Sequence, residues 1–532
     1  MRKFLLHNLL VLVGLLYFTN AHAYDFEVDG IYYNILPTEQ KKVEVTYFGY
    51  SKWNNQYYSY YTGDIVIPQT IELNDKIYTV SKIGHHAFNG CENIKSIILP
   101  ETLDSIENRA FYKCKGLTSI TIPNNVTYID DEAFAYTSLS QIEISSEKSL
   151  SAGTDVFFDT PWWNNMPNGI IYLGKHVYKF KGTMPENSSI DVQKGTLSIF
   201  GGAFGLCDGL TSINLPNSIT NIGSNAFDGC IGLTSINIPN STISIGDDCF
   251  YGCENLQKVV LPSSLQKIGK KCFYGCEKLS SIEIPNKIET LFSATFYGCK
   301  QLKAIKLSSS LKEIGEQCFY NCSSLSSISI PGSVERISDE VFCNCGLSSV
   351  RFEDSNMPIS LGLGSKRYNK GLFNNSAIKY LYIGRDIDAY YGLGLGEYHM
   401  AKVYEIGSCV TQFNPQNLSR EIEKLIIHDS PNALSLTSPI NAYYVDTLYL
   451  GRNTPLLIFS EGRVVSATIS GNCTNITDEM FKRCKSLKNV KLSNNITSIG
   501  NFAFEECTAL DSIVLPSKLN NLGSYVFPAS GR

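Results

Sequence analysis

Phe204, Phe227, Phe250, Phe273, Phe296, Phe319 and Phe342 follow one another at intervals of 23 residues, and no other feature of the chain constrains its fold as tightly. Around each phenylalanine the same unit returns, written LTSINLPNSITNIGSNAFDGCIGL from Leu210 to Leu233. A unit this short cannot bury its own apolar face and must stack on its neighbours, so a fixed period of this kind marks a solenoid. The 532 residues therefore read as one long repeat domain behind a small cap, because a solenoid lengthens without splitting its core.

The division of labour within a unit is readable. In INLP, strand alternation points Ile213 and Leu215 inward and Asn214 outward, and Pro216 ends the strand. Ala226, Phe227 and Cys230 are spaced for a single inward-packing helical or 3-10 turn. The expected fold is a β-rich repeat solenoid of short strands joined by such turns.

In chain order, residues 1–23 carry Arg2 and Lys3, an apolar run from Leu9 to Phe18 and the ending Ala21-His22-Ala23. That is the pattern of a secretory signal peptide cleaved before Tyr24, and the apolar run is too short to span a bilayer. No lipid-anchoring cysteine follows the cut, and no later apolar run has transmembrane length. Residues 24–62 read as a β cap with alternating strands, and the aromatic run Trp53–Tyr61 is either its packed underside or a binding surface. The solenoid is expected over 63–532, with a hairpin turn at Asn74-Asp75-Lys76 and an insertion at 160–189 whose two strands flank Gly174-Lys175. Between Phe342 and Phe481 the phenylalanine marker is mostly lost. Paired apolar positions nevertheless continue at Val350/Phe352, Leu381/Ile383, Tyr404/Ile406, Leu425/Ile427, Leu448/Leu450, Ala467/Ile469 and Val490/Leu492, so degenerate coils are expected over 351–470.

Seventeen cysteines in an exported chain would ordinarily suggest disulfides, but eleven of them fall three residues after the repeat phenylalanine. That position forms a ladder inside a solenoid, where a thiol serves as a small apolar group, and free buried thiols are expected. No CxxC pair, HExxH or phosphate loop is present. The glycines of LGLGEY at 393–398 read as a loop, and Asp386 and Asp388 lack a calcium loop around them. No cofactor, metal site or catalytic constellation is expected. Removing the leader leaves a net charge of −7 with scattered basic residues, which does not point to nucleic acid.

The pattern LxxIxLPxxIxxIGxxAFxxCxxL resembles the Treponema pallidum-type leucine-rich repeat of BspA-like surface proteins. The opening YDFEVDGIYYNI and the insertion YLGKHVYKFKGTMP resemble elements of such proteins from Bacteroides and related anaerobes. The resemblance implies a leucine-rich-repeat, right-handed superhelix, exported and either secreted or held at the cell surface, with some relatives acting as adhesins. An extracellular protein or glycan would then be the partner. A structural spacer, or an enzyme with an unfamiliar site in 351–470, are the alternatives. The outward strand positions of the irregular coils, Arg351, Tyr382, Glu405, Ile426 and Tyr449, carry more aromatic and aliphatic character than the polar series of the regular coils. Arg351, Tyr382, Ile426 and Tyr449 are therefore the candidate binding residues. A register slip of one residue would turn every one of them inward.

Overall fold

The computed structural model describes residues 23–39, 41–51, 56–144, 147–362, 372–388, 401–415, 418, 421–437, 444–459, 461 and 463–528. Residues 1–22, where a signal peptide is expected, Trp53, His399 and the 393–398 segment lie outside the described residues. The chain divides into two compact units, one of residues 1–185, 191–207 and 215–228, the other of 186–190, 208–214 and 229–532.

A coil of the second unit has three faces. Strand Ser281–Glu283 pairs in parallel with Ala304–Lys306, and Thr290–Leu291 pairs in parallel with Glu313–Ile314. The third face holds Phe296. The helical or 3-10 turn expected there does not form, because residues in the left-handed region stand two positions before and two after the phenylalanine, Ala294 at φ 55° and Gly298 at φ 72°. The same pair recurs at Arg109 and Lys113 around Phe111 and at Glu479 and Arg483 around Phe481. Among the described residues the one α-helix is Pro161–Asn164, in the insertion.

The left-handed pair sends alternate amides along the stack. Ala294 N, Phe296 N and Gly298 N donate to Glu316 O, Cys318 O and Tyr320 O of the next coil at 2.8, 2.8 and 2.7 Å. Tyr297 N and Cys299 N instead close turns within their own coil, on Ala294 O and Phe296 O at 3.1 and 3.2 Å. The rings stack in the same register, Phe273 to Phe296 at 5.4 Å and Phe296 to Phe319 at 5.5 Å, with nearly parallel planes.

All 17 cysteines are free, and all but Cys409 are buried. They do more than fill space. The Cys322 thiol donates to Phe296 O of the preceding coil at 3.2 Å, and Cys299, Cys345 and Cys507 do the same to Phe273, Phe319 and Phe481. Where the position is threonine, Thr137 and Thr160 donate to Phe134 O and Phe157 O of their own coils, each at 2.9 Å. The site selects a small donor. Burial pushes the Cys318 thiol up to about 12 and that of Cys507 to about 11, away from the reactive thiolate.

In the first unit, hairpin Phe26–Val28/Ile31–Ile35 and strand Lys42–Val45 form an antiparallel sheet. Lys42–Val45 then pairs in parallel with Lys76–Ile83, which leads into the coil strands. Asn74 and Asp75, at φ 52° and 59°, make the expected tight turn between Thr70–Leu73 and Lys76–Ile83. The first coil has no predecessor to bond the carbonyl of Ala87, and Ser59 Oγ supplies the donor at 2.7 Å. Tyr61 packs on Phe88 at 4.6 Å and Tyr57 on His86 at 3.9 Å, so both aromatics pack onto the first coil. The insertion forms its antiparallel hairpin, Gly169–Leu173 against His176–Lys181, and the second strand continues in parallel with Ser198–Ile199.

Thiol counting checks the ladder: a thiol reagent should find about one group in the native protein, Cys409, and all 17 after denaturation. Fewer in the denatured state would reveal disulfides. Two buried histidines predict a pH response. Burial holds His176 down to about 4, and burial with His85 and Arg109 nearby holds His86 down to about 3. The unfolded chain takes up these protons below the ordinary pKa near 6.5, so stability falls as pH drops from about 6.5 towards 4, by about 3 kcal/mol from His176 alone. His176→Gln should flatten the dependence of the urea midpoint on pH over that window; an unchanged slope would exclude His176 as a source.

Candidate functional site

Eight parallel strands run through the irregular part of the second unit: Ser327–Ile330, Ser349–Phe352, Tyr380–Ile383, Val403–Ile406, Glu421–Ile427, Tyr444–Leu450, Arg463–Ile469 and Asn489–Lys491. Six of the seven apolar pairs, from Val350/Phe352 to Ala467/Ile469, are buried, whereas Val490 and Leu492 are only half-buried. Three of the strands are seven residues long because a further apolar position, Ile422, Val445 and Val464, is buried in register on the same face. The repeat phenylalanines also reach further than counting in 23s reveals. Phe373 stacks on Phe342 at 5.5 Å and Phe459 on Phe481 at 6.0 Å.

Pairing places Ser329, Arg351, Tyr382, Glu405, Ile426, Tyr449, Thr468 and Lys491 in one outward row. The slipped register does not occur. Arg351, Ile426 and Tyr449 are half-buried. Tyr382 is different, with only 6% of its surface exposed. Its ring lies under the Arg351 guanidinium at 3.6 Å and meets His428 edge-on at 6.0 Å, while its hydroxyl donates to Asp354 at 2.7 Å. Burial, with the Asp354 carboxylate beside it, pushes that phenol up to about 12. Tyr382 is therefore a covered member of the row that orients Arg351, and its strand position alone did not reveal this.

Sequence reasoning missed the residues just past the strand ends. Asp354, His428, Asp429 and Ser470 each follow the last inward residue by one or two positions. His428 Nε2 lies 3.0 Å from Glu405, and Asp429 accepts from the Tyr449 hydroxyl at 2.6 Å and from Ser470. The Asp429 carboxylate, followed by burial, raises the Tyr449 phenol. Asp386 is used locally, accepting from Thr411 N and Gln412 N at 2.6 and 2.9 Å. The surface therefore presents a guanidinium, a phenol, an imidazole and carboxylates at neighbouring coil positions. It offers hydrogen bonding, charge and aromatic contact, the means of recognition.

Two buried arginines tie together the segments that follow the strands. Arg385 donates to the carbonyls of Pro331, Gly332 and Val334 at 2.6, 2.9 and 2.6 Å. Arg452 donates to those of Gly407, Ser408 and Val410 at 2.8, 3.3 and 2.7 Å. Each reaches the segment that follows the strand two places earlier. Burial lowers both guanidinium pKa values, but a group that starts so high keeps its charge. Arg452→Ala should cost about 3–5 kcal/mol in urea denaturation, because it strips donors from buried carbonyls, whereas Arg351→Ala should stay within about 1 kcal/mol. Equal costs would contradict this division between support and surface.

A family model described as BspA type leucine rich repeat region matches residues 68–180, 173–262, 243–363 and 457–531. The unmatched 364–456 contains Tyr382, Glu405, Ile426 and Tyr449 of the row. No curated protein matches the chain. Among solved structures, it is similar to a leucine-rich repeat protein from Bacteroides ovatus, with 20% identity over 94% of this chain and 100% of that one and a TM-score of 0.29. It is also similar to the T. pallidum leucine-rich repeat protein, with 18% identity over 60% and 88% and a TM-score of 0.21. A leucine rich cell surface protein from Faecalibacterium prausnitzii gives 17% identity over 95% of each chain and a TM-score of 0.22.

Proposed function

The chain belongs to the BspA-type leucine-rich-repeat family, and from that premise we propose that it is an exported, non-enzymatic recognition protein. In this reading it is secreted or held at the cell surface, and it adheres through its irregular coils to an extracellular protein or glycan of the host or of another bacterium. The observation that carries the reading is the row from Arg351 to Thr468, where polar and aromatic side chains stand in register on an outward face. The pattern at residues 1–23 supports export. Among the described residues no helix is long and apolar enough to cross a membrane. A broad face of parallel strands with a few anchoring side chains is how solenoids commonly bind large partners.

The test is a binding screen of the mature protein against host matrix proteins and glycans, repeated with the double variant Arg351→Ala, Tyr449→Ala. The expected result is at least about a tenfold loss for a ligand bound through the row, equivalent to about 1.4 kcal/mol. If every detected affinity survives the double substitution, the row is not the binding surface.

A further inference from the structure

We propose that a second site of the same unit, a groove around Phe292 on the face formed by Thr290–Leu291, Glu313–Ile314 and Arg336–Ile337, binds a neutral saccharide. Several coils carry a glycine four residues before the repeat phenylalanine. Gly223, Gly246, Gly269 and Gly315 occupy that position in the coils of Phe227, Phe250, Phe273 and Phe319. The coils approach closely there. A Cβ on Gly315 would meet Ser293 N at 2.6 Å and the carbonyl carbon of Phe292 at 2.7 Å.

In the coil of Phe296 the same position is Phe292, whose side chain is 40% exposed. It contrasts with Phe200, the equivalent residue of the first unit, which is fully buried against His176 at 5.5 Å and Tyr178 at 6.4 Å. Phe200 is explained by the core and Phe292 is not. A benzyl group left in water where the repeat uses glycine gives up burial without gaining packing.

Phe292 lines a cavity of about 650 Å³. That is a size common for ligand clefts, which run from about 300 to 1,000 Å³. Glu313 and Arg336, opposite each other in the parallel pairing and 4.0 Å apart, lie along the cavity, with Glu316 and Asp339 also lining it. Gly315, which carries no side chain, also lines the cavity beside the ring. An aromatic face accompanied by carboxylate acceptors and a planar guanidinium donor matches the two sides of a pyranose: its C–H face packs on the ring, and adjacent hydroxyls bond the charged groups. Charges of both signs favour an uncharged polyol over a simple cation, and one aromatic wall is too little apolar surface for a helix or an apolar peptide.

The experiment measures binding to the whole mature protein of maltotriose, cellotriose, xylotriose and chitotriose by saturation-transfer NMR and calorimetry at millimolar concentration, with spermidine as a cationic control. At least one trisaccharide should bind. Phe292→Gly, which restores the residue of the repeat, should weaken it by at least about tenfold with the melting temperature unchanged or raised. Glu313→Gln should weaken it also. The variant Arg351→Ala, Tyr449→Ala should leave it intact, which separates this site from the row. The proposal is overturned if none of the trisaccharides binds, if Phe292→Gly binds as well as the parent, if the row variant abolishes binding, or if spermidine alone binds and does so independently of Phe292.

Discussion

The structure depends on the hydrogen bonds that pass from coil to coil on either side of each repeat phenylalanine. Two left-handed residues, such as Ala294 and Gly298, turn the amides of alternate positions along the stack. Left-handed backbone costs an ordinary residue about 1–2 kcal/mol, and each bond in the ladder contributes about 1 kcal/mol net. The bonds alone do not clearly win. The stacked rings, and the thiols that satisfy the remaining lone pairs of the phenylalanine carbonyls, tip the balance. The same logic explains the cap: Ser59 bonds the carbonyl of Ala87, which has no earlier coil to serve it.

Once the ladder is in place, a coil can be altered as long as its carbonyls find other donors. After Phe373 the strands lengthen to include Ile422, Val445 and Val464. Arg385 and Arg452 bond carbonyls after the strands two places earlier, so each guanidinium spans an intervening coil. A rigid, always-charged fork suits this use better than a lysine would. The surface row is mounted on that reinforced segment, which joins the departure from the repeat to the proposed role in recognition.

Much of this was legible in the residues. The 23-residue interval set the period, and the apolar pairs carried the strands through 351–470 in the register that is observed. The rest required contacts between coils. Phe373 and Phe459 stand 31 residues after Phe342 and 22 before Phe481, and a fixed count passes over them. The left-handed positions hold Arg109, Lys271 and Gln317 as readily as glycine, so they carry no composition signal. Tyr382 alternates outward as expected, but its cover comes from Arg351 and His428 on other strands or their ends. Cysteine read as a small apolar group because the S–H bond to the preceding coil appears only when coils are stacked.

The turn around each phenylalanine is a structural ladder and not a loop. Hydrogen exchange resolved to single amides tests it most directly. The amides of Phe273, Phe296 and Phe319 donate to the next coil at 2.9, 2.8 and 3.0 Å. They should exchange as slowly as the strand amides beside them, near the limit set by opening of the whole unit. Exchange of these three amides at the rate of exposed turns, with the strands still protected, would contradict the account.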